Sequence, residues 1–521
     1  MRTCPPHASR LAAVPFLMAL LVLPGCTRSI PMPDLGDRYN RTAQYHGPDR
    51  NPVIVIPGIL GSKLTHPPTG TRVWGAFEGG AADPGTAEGA RLIALPMQIG
   101  QRLSQLDDDV EPDGALDSVR LSLFGLPVQI DAYAQILGTL GAGGYIDDQL
   151  GESGAIDYGT DHYSCFQFDY DWRRDNVENA RNLYDFIKKH RAEVQKNLAE
   201  DYGGDPDDYD VKFDIVAHSM GGLLTRYMLR YGDADLPADG SVPEVTWAGT
   251  EHVDRVVLVG TPSAGSIDAL VQLVKGTKFS PLHSRYSPAV LGTMPAIYQL
   301  LPRSRHERAV FASANAKGNN WVAPLPASAE VESPSQIDLF AEETWHRLGW
   351  GLASTEQDKE LARLLPDTDT PEERREIAAE HLRKSLARAK QFHAALDQPA
   401  RLPDNTTLTL YAGDGEPTND IAVVNREGRI TRLTKASGDG TVTRESAVMD
   451  ERVGASGDAS GGDSGGWSPH LVTPIDWTDV NFLFTDHIGL TADPVFADNV
   501  LYLLLESPKR EVPSKAADVM P

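Results

Sequence analysis

Five short apolar runs punctuate the chain, at residues 52–56, 163–168, 211–216, Val253–Val259 and 408–411. They are rich in Val, Ile, Leu or aromatic residues, and most stop at Gly, Pro or Ala, as strands buried on both faces do. Between them, helical patterns occupy 180–202 and 221–231, and an apolar helical stretch follows at 494–506. Strand–helix alternation of this kind gives a mainly parallel sheet covered on both faces, so the pattern predicts an α/β fold.

Two stretches break the alternation. Residues 64–125 are rich in Gly, Pro and Asp around a lone Trp74 and read as a lid excursion. Residues 266–400 form a long insert whose later part, Pro371–Leu396, has a charged helical pattern. Loops of such length inside a compact domain are functional caps or carry structure of their own. The expected organisation is therefore a core in two parts, 51–265 and 401–505, with a cap at 266–400 and a tail at 506–521. Residues 454–467, dominated by Gly, Ser and Asp, predict a flexible loop; the spacing of Asp458 and Asp463 misses the calcium-loop template. Neither a metal nor a cofactor is expected.

The ends and the charge balance change the picture. Arg2 and Arg10 precede an apolar stretch at 11–23 that is too short to span a bilayer, the layout of a secretory signal over 1–25. It ends Leu23-Pro24-Gly25-Cys26, which resembles a bacterial lipobox and predicts lipidation of Cys26, with 26–50 as a linker. Thr27 is not the Asp of an inner-membrane retention signal, so the expected location is the outer membrane of a Gram-negative envelope. Of the three cysteines only Cys165 would remain, a buried small hydrophobe in an apolar run. Asp and Glu number 73 against 48 Lys and Arg, a net charge of −25. That balance excludes a nucleic-acid partner and docking on anionic lipid by charge alone, leaving a hydrophobic anchor as the route to a membrane.

Candidate chemistry centres on Ala217-His218-Ser219-Met220-Gly221, between an apolar run and a helical stretch. Strand, sharp turn and helix with Ser at the apex is the context of a nucleophile elbow. A serine hydroxyl is a poor nucleophile unless held exposed beside a base, and a helix starting behind it aims N–H groups at a developing oxyanion. The base must come from 14 histidines. His218 adjoins the serine, where successive residues diverge, and reads as structural. The chain order for this fold is Ser, acid, His. Asp439, in the Gly-flanked turn 437–442, and His487, just before the last helical stretch, satisfy it; His470 is a rival base, and Asp414 and Asp486 are rival acids.

Several segments in the same order resemble the lecithin:cholesterol acyltransferase family, which includes phospholipid:diacylglycerol acyltransferases and lysosomal phospholipases. They are Pro52-Val-Ile-Val-Ile-Pro-Gly-Ile-Leu-Gly-Ser62, Tyr170-Asp-Trp-Arg173, the serine elbow, Gly260-Thr-Pro-Ser-Ala-Gly-Ser266, Asp439 in Gly-Asp-Gly-Thr-Val, and His487; Met294 to Pro302 resembles the family's cap helix. The resemblance covers about residues 52–505. It implies an α/β-hydrolase with Ser219, Asp439 and His487 as catalytic residues, and an oxyanion hole from the backbone N–H groups of Ile59 and Met220. Family members often carry an acidic residue or Cys where Ile59 stands, a change that leaves the backbone donor in place. Trp74 falls where the family has its lid, but no cysteine flanks it to close that lid. The implied substrates are phospholipids or other acyl lipids, with a lipid alcohol as an acceptor for acyl transfer. A plain esterase or lipase, and a non-catalytic lipid-binding lipoprotein, are the alternatives.

Overall fold

A computed structural model describes residues 33–75, 81–115, 119–123, 126–130, 132–279, 284–312, 336–452 and 468–508. Cys26, the signal segment and the loop expected at 454–467 lie outside them.

The frame is a six-stranded sheet of β1 (Val53–Ile56), β2 (Cys165–Gln167), β3 (Phe213–His218), β4 (Val253–Val259), β5 (Thr407–Gly413) and β6 (Asp479–Leu483), in the order β6-β5-β4-β3-β1-β2. Every pairing is parallel. Side chains alternate between faces, as a strand requires. Ile54, Ile56, Ile215 and Ala217 enter one buried cluster, while Val53, Val55 and Val216 enter a second on the opposite face. Burial on both faces explains why these strands are apolar runs rather than alternating sequences. Cys165 is a free, buried thiol in β2, and burial pushes its pKa well up. Strand β6 was not expected, because only its last residue is fully buried and its edge position leaves no continuous apolar run.

The helices fall where the patterns put them: Asn176–Tyr202, Met220–Tyr231 and Pro494–Leu505. In the insert, Pro371–Leu396 starts at Thr370, whose side chain accepts from the Glu373 amide, with Pro371 in the first turn. Its buried positions, Ala378, Leu382, Ser385, Leu386, Ala389 and Phe392, form one stripe against the helices Pro295–Gln299 and Met220–Tyr231. The insert also sends the strand Ala309–Phe311 to pair with Glu416–Val424, which is antiparallel to Ile430–Gly438. This small second sheet separates β5 from Asp439.

The lid reading of Trp74 needs correction. Ser62–His66, Thr71–Trp74 and Glu111–Ala115 form a three-stranded antiparallel sheet, not an open excursion. Trp74 is 2% exposed, donates its indole N–H to the Leu60 carbonyl, and meets Trp172, Phe279 and Tyr286 edge to face. With both its ring and its N–H committed, it is a structural buttress. Arg173 is fully buried and ties this region to the frame: it forks onto Asp171, reaches Asp108 at 2.7 Å, and donates to the Leu92 and Ile93 carbonyls. Residues 35–43 are short helical turns, and Tyr39 from them donates to Asp498 on the last helix.

Candidate active site

In a parallel sheet, ligands bind beyond the carboxyl ends of the strands where the strand order reverses. Here that point lies between β1 and β3, because the chain passes from β2 across β1 to build β3. Ser219 stands at the tip of β3 and caps the helix Met220–Tyr231. Its φ is 53°, a conformation disfavoured for a residue with a Cβ, and its N–H donates to the Val259 carbonyl at 2.7 Å. The strained turn holds Oγ off the strand end with the helix N-terminus behind it. Gly58, at the end of β1, makes this possible: a Cβ there would lie 2.7 Å from the Ser219 Cβ.

His487 reaches the serine from the loop after β6. Its Nε2 lies 2.9 Å from Ser219 Oγ, and its Nδ1 lies 2.8 Å from Asp439 Oδ2. The His487 amide also donates to the Asp439 carbonyl at 2.8 Å, so backbone and side chain are aligned together. Asp439 is 1% exposed, and its other oxygen accepts from the Thr441 and Val442 amides at 2.9 and 2.7 Å. Such a carboxylate is held from both sides and fixes the Nδ1–H tautomer of His487, freeing Nε2 to accept a proton.

The rival groups go elsewhere. His470 is exposed; Asp414 pairs with Arg444; and Asp486 accepts from the Ile488 and Gly489 amides. His218 is structural, as its position suggested, but its role is richer than the sequence indicated. The Gly58 amide donates to the Tyr133 hydroxyl at 2.7 Å, which sits 3.1 Å from His218 Nδ1, and His218 Nε2 lies 3.0 Å from the His487 carbonyl. In the neutral ring Nε2–H donates to that carbonyl and Nδ1 accepts from the Tyr133 hydroxyl. Burial pushes His218 down to about 3, with the neighbouring His487 adding to the effect, in keeping with that neutral state. The chain Gly58–Tyr133–His218–His487 joins the loop after β1 to the loop after β6. Nothing local in the sequence marks Tyr133.

Ile59 lies in the wall of the cavity that holds Ser219, and Met220 takes the first helical position after it, where an amide has no intrahelical acceptor. The cavity over Ser219 and His487 is largely apolar, walled by Leu60, Trp172, Phe279, Leu291, Ile297 and Leu300. Phe279 and Trp172 lean on Trp74, so that residue acts on the pocket from behind. One acid, Asp268, also lines the cavity. The sequence offered no sign of it beyond an acidic residue in the first turn of a helix.

Residues 155–343 match the family model for lecithin:cholesterol acyltransferase. Among curated proteins, no significant match to the sequence was found. Similar solved structures include a chain of the crystal structure of the Tle4–Tli4 complex, at 16% identity, a TM-score of 0.47, and coverage of 88% of this chain and 99% of that one. EstA from Clostridium botulinum is 13% identical with a TM-score of 0.31, covering 89% of each chain. Phospholipase PlaB from Legionella pneumophila is 15% identical with a TM-score of 0.17, covering 31% of this chain and 29% of that one. The chain has the α/β-hydrolase fold, and with the lecithin:cholesterol acyltransferase match over residues 155–343 this supports an enzyme of the hydrolase type that hydrolyses or transfers lipid acyl groups.

Proposed function

We propose that the protein is a serine acyl-transfer enzyme working on phospholipids or other acyl lipids, with Ser219 as nucleophile, His487 as base and Asp439 as its orienting acid. The observation that carries this reading is the unbroken line from Asp439 Oδ2 through His487 to Ser219 Oγ, at 2.8 and 2.9 Å, with the serine on a strained turn. His487 Nε2 takes the Ser219 proton as Oγ attacks the ester carbonyl carbon. The carbonyl oxygen, now an oxyanion, receives the N–H groups of Ile59 and Met220. Collapse expels the alcohol, which takes its proton from His487 and leaves the acyl group on Ser219. Water, activated by the same histidine, releases a free fatty acid; a lipid alcohol in its place forms a new ester. An apolar wall around the serine suits an acyl chain and limits water at the reacting carbon.

Delivery to the lipid is by the N-terminus. Cys26, lipidated, holds the enzyme on the outer membrane of a Gram-negative envelope, and no charge attraction is needed. Globomycin-sensitive processing and loss of membrane association in Cys26→Ala check this part.

The deciding experiment incubates wild type and Ser219→Ala with labelled phospholipid vesicles and with a labelled acylglycerol, each with and without diacylglycerol or a sterol. Free fatty acid lost in the mutant supports hydrolysis, and labelled acceptor ester supports transfer. Equal behaviour of the two proteins would remove the assignment and favour a lipid-binding lipoprotein.

A further inference from the structure

Asp268 is the one carboxyl group that lines the cavity over Ser219, among the described residues. It is 2% exposed. Its Oδ1 accepts from the Asn419 amide at 2.6 Å, while its Oδ2 is buried and has no hydrogen-bond partner among the described residues. The site is built rather than accidental. Ser266 caps the nine-residue helix Ile267–Lys275, accepting from the Asp268 amide and donating to the Thr441 carbonyl at 2.8 Å. Asn419 comes from the opposite side, on Glu416–Val424, where the pairing register breaks between Asn419 and Ala422. Irregularities of that kind re-aim side chains toward sites. An apolar pocket thus holds a single acid with half its hydrogen-bonding capacity unused, a costly arrangement unless something else meets it.

We propose that Asp268, braced by Asn419, binds a free hydroxyl on the alcohol portion of the substrate, so that the cavity selects esters of polyols such as glycerol. This rests on the Ser219 acyl-transfer reading and adds the class of alcohol that leaves or accepts. The lining residues include no Lys or Arg to hold a phosphate beside the reacting ester. A buried carboxyl facing a phosphate would repel it, whereas a hydroxyl either donates to the carboxylate or accepts from the acid. Burial pushes Asp268 up to about 6 against the opposing pull of Asn419 and Lys435, with Asp439 adding to the rise, so both forms are within reach near neutral pH.

The test compares three esters of one fatty acid: 1-monoacylglycerol, its 2,3-dimethoxypropyl analogue, and the choline ester. Wild type is expected to favour the dihydroxy ester over the dimethoxy one by about tenfold or more in kcat/KM, since a site built to bond a hydroxyl leaves polar atoms unpaired without it. In Asp268→Ala and Asn419→Ala the ratio should fall to within about twofold. A wild type that treats the two esters alike overturns the proposal, with no dependence on how any variant folds. So does a variant that keeps the ratio while its Ser219 still labels with an alkyl fluorophosphonate. A choline ester that outruns both, and loses its lead in Asp268→Ala, overturns it in favour of a cation site. Failure of the Ser219 reading looks different: no ester is cleaved, or Ser219→Ala cleaves as fast as wild type.

Discussion

Two aspartates stand near Ser219 with almost equal burial, 1% exposed for Asp439 and 2% for Asp268, and their surroundings differ in one respect. Asp439 has both oxygens occupied, by two amides on one side and His487 on the other. Asp268 has one oxygen held by Asn419 and one without a hydrogen-bond partner among the described residues. Burial alone therefore does not say what an acid does. Saturation of its partners marks a group fixed as part of the machinery, and an unfilled oxygen marks a group open to what enters.

The largest expected effect falls on the saturated acid. Asp439→Asn should lower kcat on a simple ester by about 10⁴-fold, because an amide facing Nδ1 favours the wrong tautomer of His487. Asp268→Asn should instead act mainly through KM for hydroxylated esters, and steady-state kinetics on both variants would collapse the comparison if the effects were equal.

Stability against pH sharpens it further. Burial on folding pushes Asp268 from its ordinary 3.8 up to about 6, so the native state holds the extra proton between those values. Wild type should lose about 2 kcal/mol as pH rises from about 4 to about 6 and not regain it above, while Asp268→Asn lacks this loss. Melting at pH 4 and pH 8 checks it: the variant should gain on wild type only at the higher pH.

Tyr133→Phe comes next, because it strands the Gly58 amide and the His218 Nδ1 together. A cost of about 1–2 kcal/mol in chemical denaturation is expected. A neutral result would mean that the link between the two loops contributes nothing. The smallest effect is that of Thr418→Val. Thr418 Oγ1 accepts from the Gly440 amide at 2.8 Å, beside Asp439, and its loss should cost about 1 kcal/mol with a modest fall in kcat.

Much of this site could be read from residues alone, where the signal is local. The elbow is a run of five residues between a strand and a helix, and chain order narrowed the acid and base. Asp439 was harder, since Asp414 follows β5 directly and the hairpin spanning 416–438 comes before the acid that faces His487. Trp74 was misjudged because the rings that enclose it, Trp172, Phe279 and Tyr286, come from distant parts of the chain. Tyr133 and Asp268 went unseen for the same reason: each acquires meaning only from a partner brought to it by the fold. Strand β6 was hidden by its edge position and partial burial, which leave no continuous apolar run to notice.

The hairpin that postpones Asp439 carries one more consequence. Its successive residues Thr418 and Asn419 support different aspartates, the first through the Gly440 turn and the second directly at Asp268. Neighbours along a strand point to opposite sides, so a one-residue insertion or deletion upstream would take both supports away from their aspartates at once. Turnover and choice of alcohol are in this way inherited together. Homologues that shift this strand should change both traits at once, and directed evolution of selectivity should find substitutions here easier to accept than changes in length.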